Sequence, residues 1–214
     1  MTREPATPED LRRAAAAVVA ALWPHRDGDW QVRAGELDWT CLDTLGHTVD
    51  ALRFYAANLA TRTRVRRAYP WAEAFGGTPE VWLLALEATA ELLAVVAETT
   101  ADDDRAFHPA GLADAEGFLA MGCDEVLVHG ADVAQGLGVA LEAPDDVAAL
   151  VLARLFPWVE PGDGERAWDL LRWANGRTEL PGRARLGPDW WWHCAPLDEW
   201  DGSGPRRRSE PPPR

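Results

Sequence analysis

Residues 118–138 read FLAMGCDEVLVHGADVAQGLG. The stretch is almost wholly apolar or small and reads as one buried helix, with Gly136 and Gly138 to stop it and Asp114 to cap its start. Inside it sit Glu125, His129 and Asp132. The first two are four residues apart and the last two three apart, so all three share one helix face. A carboxylate and an imidazole buried among apolar groups are costly unless something pairs with them. A metal ion is the best candidate partner. The competing reading is an ordinary i,i+4 contact or a buried ion pair.

Outward from this helix the chain reads helical. Thr7-Pro8-Glu9 opens a first helix to about Trp23, with Thr7 as N-cap and Pro8 in the first turn. Thr40 caps a second, to about Thr61, with Leu45, Val49, Leu52, Ala56 and Leu59 forming its apolar stripe. Thr78-Pro79-Glu80 opens a third, to about Thr99, on which Val81, Ala85, Ala88, Leu92 and Val95 line one face. Asp102–Asp104 and His108-Pro109 fall in a loop, and no ladder of strands is evident. Shorter helices are expected from about Asp145 to Phe156, stopped by Pro157, and from about Glu165 to Ala174, ended by Asn175-Gly176. Four long helices make the expected fold all-α, a four-helix bundle with additional short C-terminal helices. The domain reading is a helical bundle over 1–176, an irregular Trp-rich segment over 177–201 packing on it, and a disordered tail over 202–214.

Composition narrows the function classes. The formal net charge is −14, and all 21 basic residues are Arg. Such a surface argues against nucleic acid and against anionic membranes as partners. The three cysteines, Cys41, Cys123 and Cys194, are widely spaced and form no CxxC pair, so neither a zinc knuckle nor a disulfide framework is indicated. The charged N-terminus has no signal-peptide core, and no apolar run reaches the ~20 residues of a membrane span. A cytoplasmic location is the expectation. HExxH, paired Glu-x-x-His, GxSxG and Walker motifs do not occur.

Two side chains one turn apart supply only an edge of a coordination shell, so a third ligand must come from elsewhere. Among the five histidines, His25, His47, His108, His129 and His193, His47 stands out. It sits mid-helix, on a face with Ala51, Phe54 and Asn58. Taken alone, such a histidine is more often structural. Two His and one carboxylate suit zinc, nickel or iron, with a position left open for catalysis or ligand binding. Asp132, one turn past His129, is a candidate to orient an imidazole or accept a proton. Asp50 stands in the same relation to His47, and His108 precedes the long helix at the open end of such a site.

The segments LDWTCLDTLGHTVDALRFYAANLA (37–60), PAGLADAEGFLAMGCDEVLVHGADVAQGLG (109–138) and LARLFPW (152–158) carry a resemblance. The chain resembles the DinB-like superfamily, and within it the metal-binding domain of mycothiol-dependent maleylpyruvate isomerases. The C-terminal RWANGRTELPGRARLGPDWWWHCAPLDEW is similar to actinobacterial members. The resemblance implies a DinB/YfiT-like bundle holding a divalent metal, zinc first, through His47, Glu125 and His129. It also implies mycothiol or a like thiol as co-substrate, ionised at the metal and attacking a small electrophile. Asp132 and His108 are then the catalytic candidates. The full isomerase carries a second C-terminal domain, for which the segment after Pro157 is too short. A stand-alone thiol transferase is therefore the expected activity. The alternatives are a non-enzymatic metal- or ligand-binding bundle, and a metal-free bundle acting by protein contact. A homodimer is compatible with the fold. Trp190, Trp191 and Trp192 are expected to pack the C-terminal wrap against the bundle.

Overall fold

Side-chain caps set the four long helices in the computed structural model, which describes residues 3–67, 69 and 77–204. Helix α1 (Pro8–Leu22) starts with a capping box: Asp10 N–H donates to Thr7 Oγ1 and Thr7 N–H donates to Asp10 Oδ2. Thr40 caps α2 (Cys41–Thr61), which ends at Arg62 in the left-handed region, φ 48°. Thr78 caps α3 (Pro79–Glu98). Asp114 accepts from Gly117 N–H at 2.8 Å to open α4 (Ala115–Leu137), and Gly138, at φ 71°, closes it. Two short helices follow, α5 (Asp145–Leu155) and α6 (Ala167–Ala174).

The helix order around the bundle follows from which faces are apolar. α1 and α2 each pack against α3 and α4, and so lie across a diagonal. α5 covers a further side of α4, and α6 packs on α5. α4 is thereby enclosed, and every residue from Gly117 to Val128 is buried. This is why 118–138 is apolar all round rather than on one stripe. Gly136 lies inside the helix instead of ending it. A Cβ there would fall 2.3 Å from Arg33 O and 2.5 Å from Cys41 Sγ, so glycine is what lets the chain before α2 approach α4.

Two expectations are corrected. The α2 stripe from Leu45 to Leu59 is buried as expected, but α3 turns a different face inward. It buries Leu83, Leu86, Ala90, Leu93 and Ala97, while Val81, Leu92 and Val95 are exposed. Both sets are spaced alternately by three and four, so periodicity alone cannot choose between them. The buried set holds the larger share of leucine. The segment before α4 is also not wholly loop: β1 (Ala106–His108) and β2 (Gly111–Ala113) form an antiparallel hairpin, Ala106 opposite Ala113.

The C-terminal segment is fastened by buried polar groups. Arg154 on α5 is fully buried; its Nη2 donates to Asp114 Oδ1 at 2.6 Å and to Cys194 O at 3.1 Å, and its Nη1 to His193 O at 3.2 Å. His193 N–H donates to Leu155 O. Trp190 and Trp192 pack against the core, which agrees with the wrap expected for the Trp run. Residues 205–214 of the expected disordered tail lie outside the described residues. None of the described helices is long and apolar enough to cross a membrane.

Candidate metal centre

α2 and α4 lie side by side, and their contact brings His47 to the Glu125–His129 edge. His129 Nε2 is 3.4 Å from Glu125 Oε2, and His47 Nε2 is 3.8 Å from the same oxygen. One ligand atom from each residue lies within 4.8 Å of the other two. Donors sharing one ion at 2.0–2.2 Å stand about 3–4 Å apart, so the trio fits a divalent ion with only side-chain adjustment. The donor chemistry, two imidazoles and a carboxylate, fits as well.

Each ligand has a partner that fixes its orientation. Tyr55, two turns beyond His47, donates its hydroxyl to Glu125 Oε1 at 2.9 Å, leaving Oε2 facing the two imidazoles. Burial, and then Glu125, push the Tyr55 phenol well above its ordinary pKa, so it remains a donor. His129 Nδ1 is 3.1 Å from Asp132 Oδ2. With Asp132 ionised, the proton sits on Nδ1 and the Nε2 lone pair is free for a metal. Arg177 grips Asp132 in turn, its Nε reaching both carboxylate oxygens at 3.0 and 3.1 Å and its Nη2 reaching Oδ2 at 3.0 Å. Burial works against ionisation of Asp132, but the bonds from His129 and Arg177 outweigh it and hold its pKa below the usual carboxylate range.

His47 is the open ligand, with its side chain 41% exposed against 8% for Glu125 and 13% for His129. Trp39 leans on it, ring centroids 4.8 Å apart. Burial lowers the His47 pKa against the pull of Glu125, which favours the neutral, ligating form. Asp50 does not orient His47; it pairs with Arg53 at 2.7 Å.

The trio opens into a cavity of about 930 Å³. Its walls include Phe54 and Tyr55 from α2, His108 from β1, and Trp190–Trp192 from the C-terminal segment. His108 is 3% exposed, stacks edge-on to Tyr55, and accepts from Ala110 N–H through Nδ1 at 3.1 Å. Burial drives its pKa down to about 3, so it is a neutral imidazole with its proton on Nε2. Asp124, beside Glu125, is buried and accepts from Asn175 Nδ2 at 2.8 Å and Trp192 Nε1 at 2.9 Å. Burial raises it to about 7 despite those two donors.

The structure thus joins His47, Glu125, His129 and Asp132 in one cluster and puts His108 in the cavity wall beyond it. Tyr55, Asp124, Arg177 and Trp39 were not singled out from the sequence. Two of these had a signal there. Asp124 is a third carboxylate within the apolar stretch, directly beside Glu125, and Tyr55 lies two turns from His47 on the same helix. Arg177 and Trp39 sit in irregular segments, where spacing says nothing about proximity.

A family model described as the DinB superfamily matches residues 9–133, more than half of the chain. The chain belongs to the DinB superfamily, whose members often bind metal. The matched region contains all three candidate ligands and Asp132. No curated protein and no solved structure matches the chain.

Proposed function

We propose that the protein is a divalent-metal-dependent thiol transferase or isomerase, joining a low-molecular-weight thiol of the mycothiol type to a small electrophile. The observation that carries this reading is that the trio faces the cavity: three donors converge on one point, two of them largely buried, and His47 is open on the cavity side. Bound there, a divalent ion supplies a Lewis-acid position that lowers a thiol pKa below its ordinary value near 8.5.

The chain's own residues supply the rest. His47, Glu125 and His129 are the holding groups. Asp132 and Arg177 lock the His129 tautomer, making Asp132 a positioning residue. The neutral His108 offers an N–H donor in the wall and not a proton that comes and goes near neutral pH. The thiol must come from outside: burial pushes Cys41 up to about 11 and Cys194 up to about 12, and raises Cys123 further, so none is a thiolate nucleophile. A cavity of about 930 Å³ has room for a thiol and a second small molecule. Zinc is the first choice of ion, then nickel or iron.

The test is transfer to 1-chloro-2,4-dinitrobenzene. The thiol loses its proton to buffer, an S–C bond forms, the C–Cl bond breaks, and chloride leaves with the electron pair. Zinc-loaded protein with mycothiol should form the thioether over many turnovers, and His129→Ala should not. Metal binding without turnover across several electrophiles would instead support a non-enzymatic binding protein.

A further inference from the structure

The proposed reaction leaves the electrophile open, and the lining of the cavity bears on it. Two arginines line this cavity among the described residues, and both are committed. Arg177 is held by Asp132 and donates to Asn175 O. Arg185 pairs with Glu36 at 2.6 Å and donates to Gly176 O at 2.7 Å. A substrate carboxylate would have to break the largely buried Arg177–Asp132 pair, which is strongly unfavourable, or compete with Glu36 and Gly176 O for Arg185, whose side chain is 42% exposed at the rim. The lining carboxylates give an anion no welcome either. Asp50 is satisfied by Arg53, Asp38 by Arg33, and Asp124 by Asn175 and Trp192. The segment between 67 and 77, part of which lies outside the described residues, contains no Arg or Lys.

Aromatic rings supply much of the remaining surface, from two separated parts of the chain. Trp39 comes from the segment just before α2 and Phe54 from α2 itself, while Trp190, Trp191 and Trp192 come from the C-terminal segment. The C-terminal set is tied to α4 at Asp124: Trp192 Nε1 donates to this carboxylate, one residue from the ligand Glu125. Trp191 leans against Trp192 at a tilt, centroids 5.5 Å apart, and Trp192 against His108, also 5.5 Å away. The neutral state of His108 keeps that wall uncharged. Away from the His47–Glu125–His129 cluster, flat π-faces without an uncommitted arginine recognise flat, uncharged molecules.

We infer that the cavity takes a neutral, planar aromatic electrophile and discriminates against anionic ones, with the Trp190–Trp192 wall as the specificity-determining element. This rests on the thiol-transfer reading for the word electrophile, but the recognition itself does not need the thiol or the ion. The test is isothermal titration calorimetry on the metal-stripped full chain with a matched pair of probes, 2-naphthamide and 2-naphthoate. Stripping removes any bond between carboxylate and ion. Naphthamide should bind at least ten-fold tighter than naphthoate, and Trp191→Ala and, separately, Trp39→Ala should each weaken naphthamide about five-fold or more. Circular dichroism on both variants shows whether the helices are intact, and the two substitutions lie in different segments. Equal or tighter binding of naphthoate, or naphthamide affinity unchanged in both variants, would overturn the inference. Naphthamide selectivity in a protein that fails to transfer thiol would uphold it and overturn only the reaction proposed above.

Discussion

Asp132 holds His129 from behind, its Oδ2 3.1 Å from the imidazole Nδ1, while Arg177 grips the same carboxylate. The pair makes Nε2 of His129 the ligating atom. Asp132→Asn keeps the shape but weakens both the bond to His129 and the pair with Arg177. Metal affinity should fall about 10–100-fold. Competition against a chromophoric chelator measures it, and an unchanged affinity would remove Asp132 from the site.

Tyr55 does the corresponding work for Glu125. Tyr55→Phe leaves Glu125 Oε1 without its donor in a buried setting. In the metal-free protein this should cost about 1–3 kcal/mol in urea unfolding. Metal should recover part of the loss, because ligation compensates the carboxylate.

His108 gives the stability a defined pH dependence. Its folded pKa, about 3, lies below the ~6.5 of an unfolded histidine, so the unfolded chain takes up a proton first as pH falls. The stabilisation is fully present above about pH 6.5 and is lost as pH falls toward 3, at up to about 1.4 kcal/mol per pH unit. Asp124 works in the opposite sense, since a carboxyl raised to about 7 is relieved as pH falls through 7. The wild-type curve therefore mixes the two. Comparison with His108→Phe isolates the first: relative to wild type, the variant should gain stability steadily from pH 6.5 down to 4. Parallel curves would contradict the buried neutral imidazole.

Close helix contact rests on two glycines of α4. A Cβ on Gly130 would lie 2.6 Å from Val18 Cγ2, and one on Gly136 would meet backbone at Arg33. Gly130→Ala should destabilise by about 1–3 kcal/mol through overpacking. Gly136→Ala should cost more, because a backbone carbonyl cannot rotate aside as a side chain can. Thermal unfolding of the two variants gives the order.

Much of this architecture was legible in the residues. Thr7, Thr40, Thr78 and Asp114 announce the four long helices because a cap is a local device, settled within a turn. Glu125 and His129 were legible because polar groups in an apolar helix demand partners. His47 stood out as a mid-helix histidine on a small or aromatic face, but spacing within α2 cannot say which helix faces it, and the resemblance placed it with Glu125 and His129. The rotation of α3 was hidden because two apolar stripes run along that helix with the same period. The fastening of the Trp-rich segment by Asp124, through Trp192, and by Arg154, through the His193 and Cys194 carbonyls, was hidden for another reason: both are long-range contacts of single polar residues, which no local pattern marks.

The most direct test of the metal centre is the metal content of the purified full chain by elemental mass spectrometry, beside the His47→Ala/His129→Ala double variant. The wild-type chain should hold close to one zinc, nickel or iron and the variant none, with both chains helical by circular dichroism. Wild-type protein that stays metal-free after incubation with zinc, or a double variant that holds as much metal as the wild type, would contradict it.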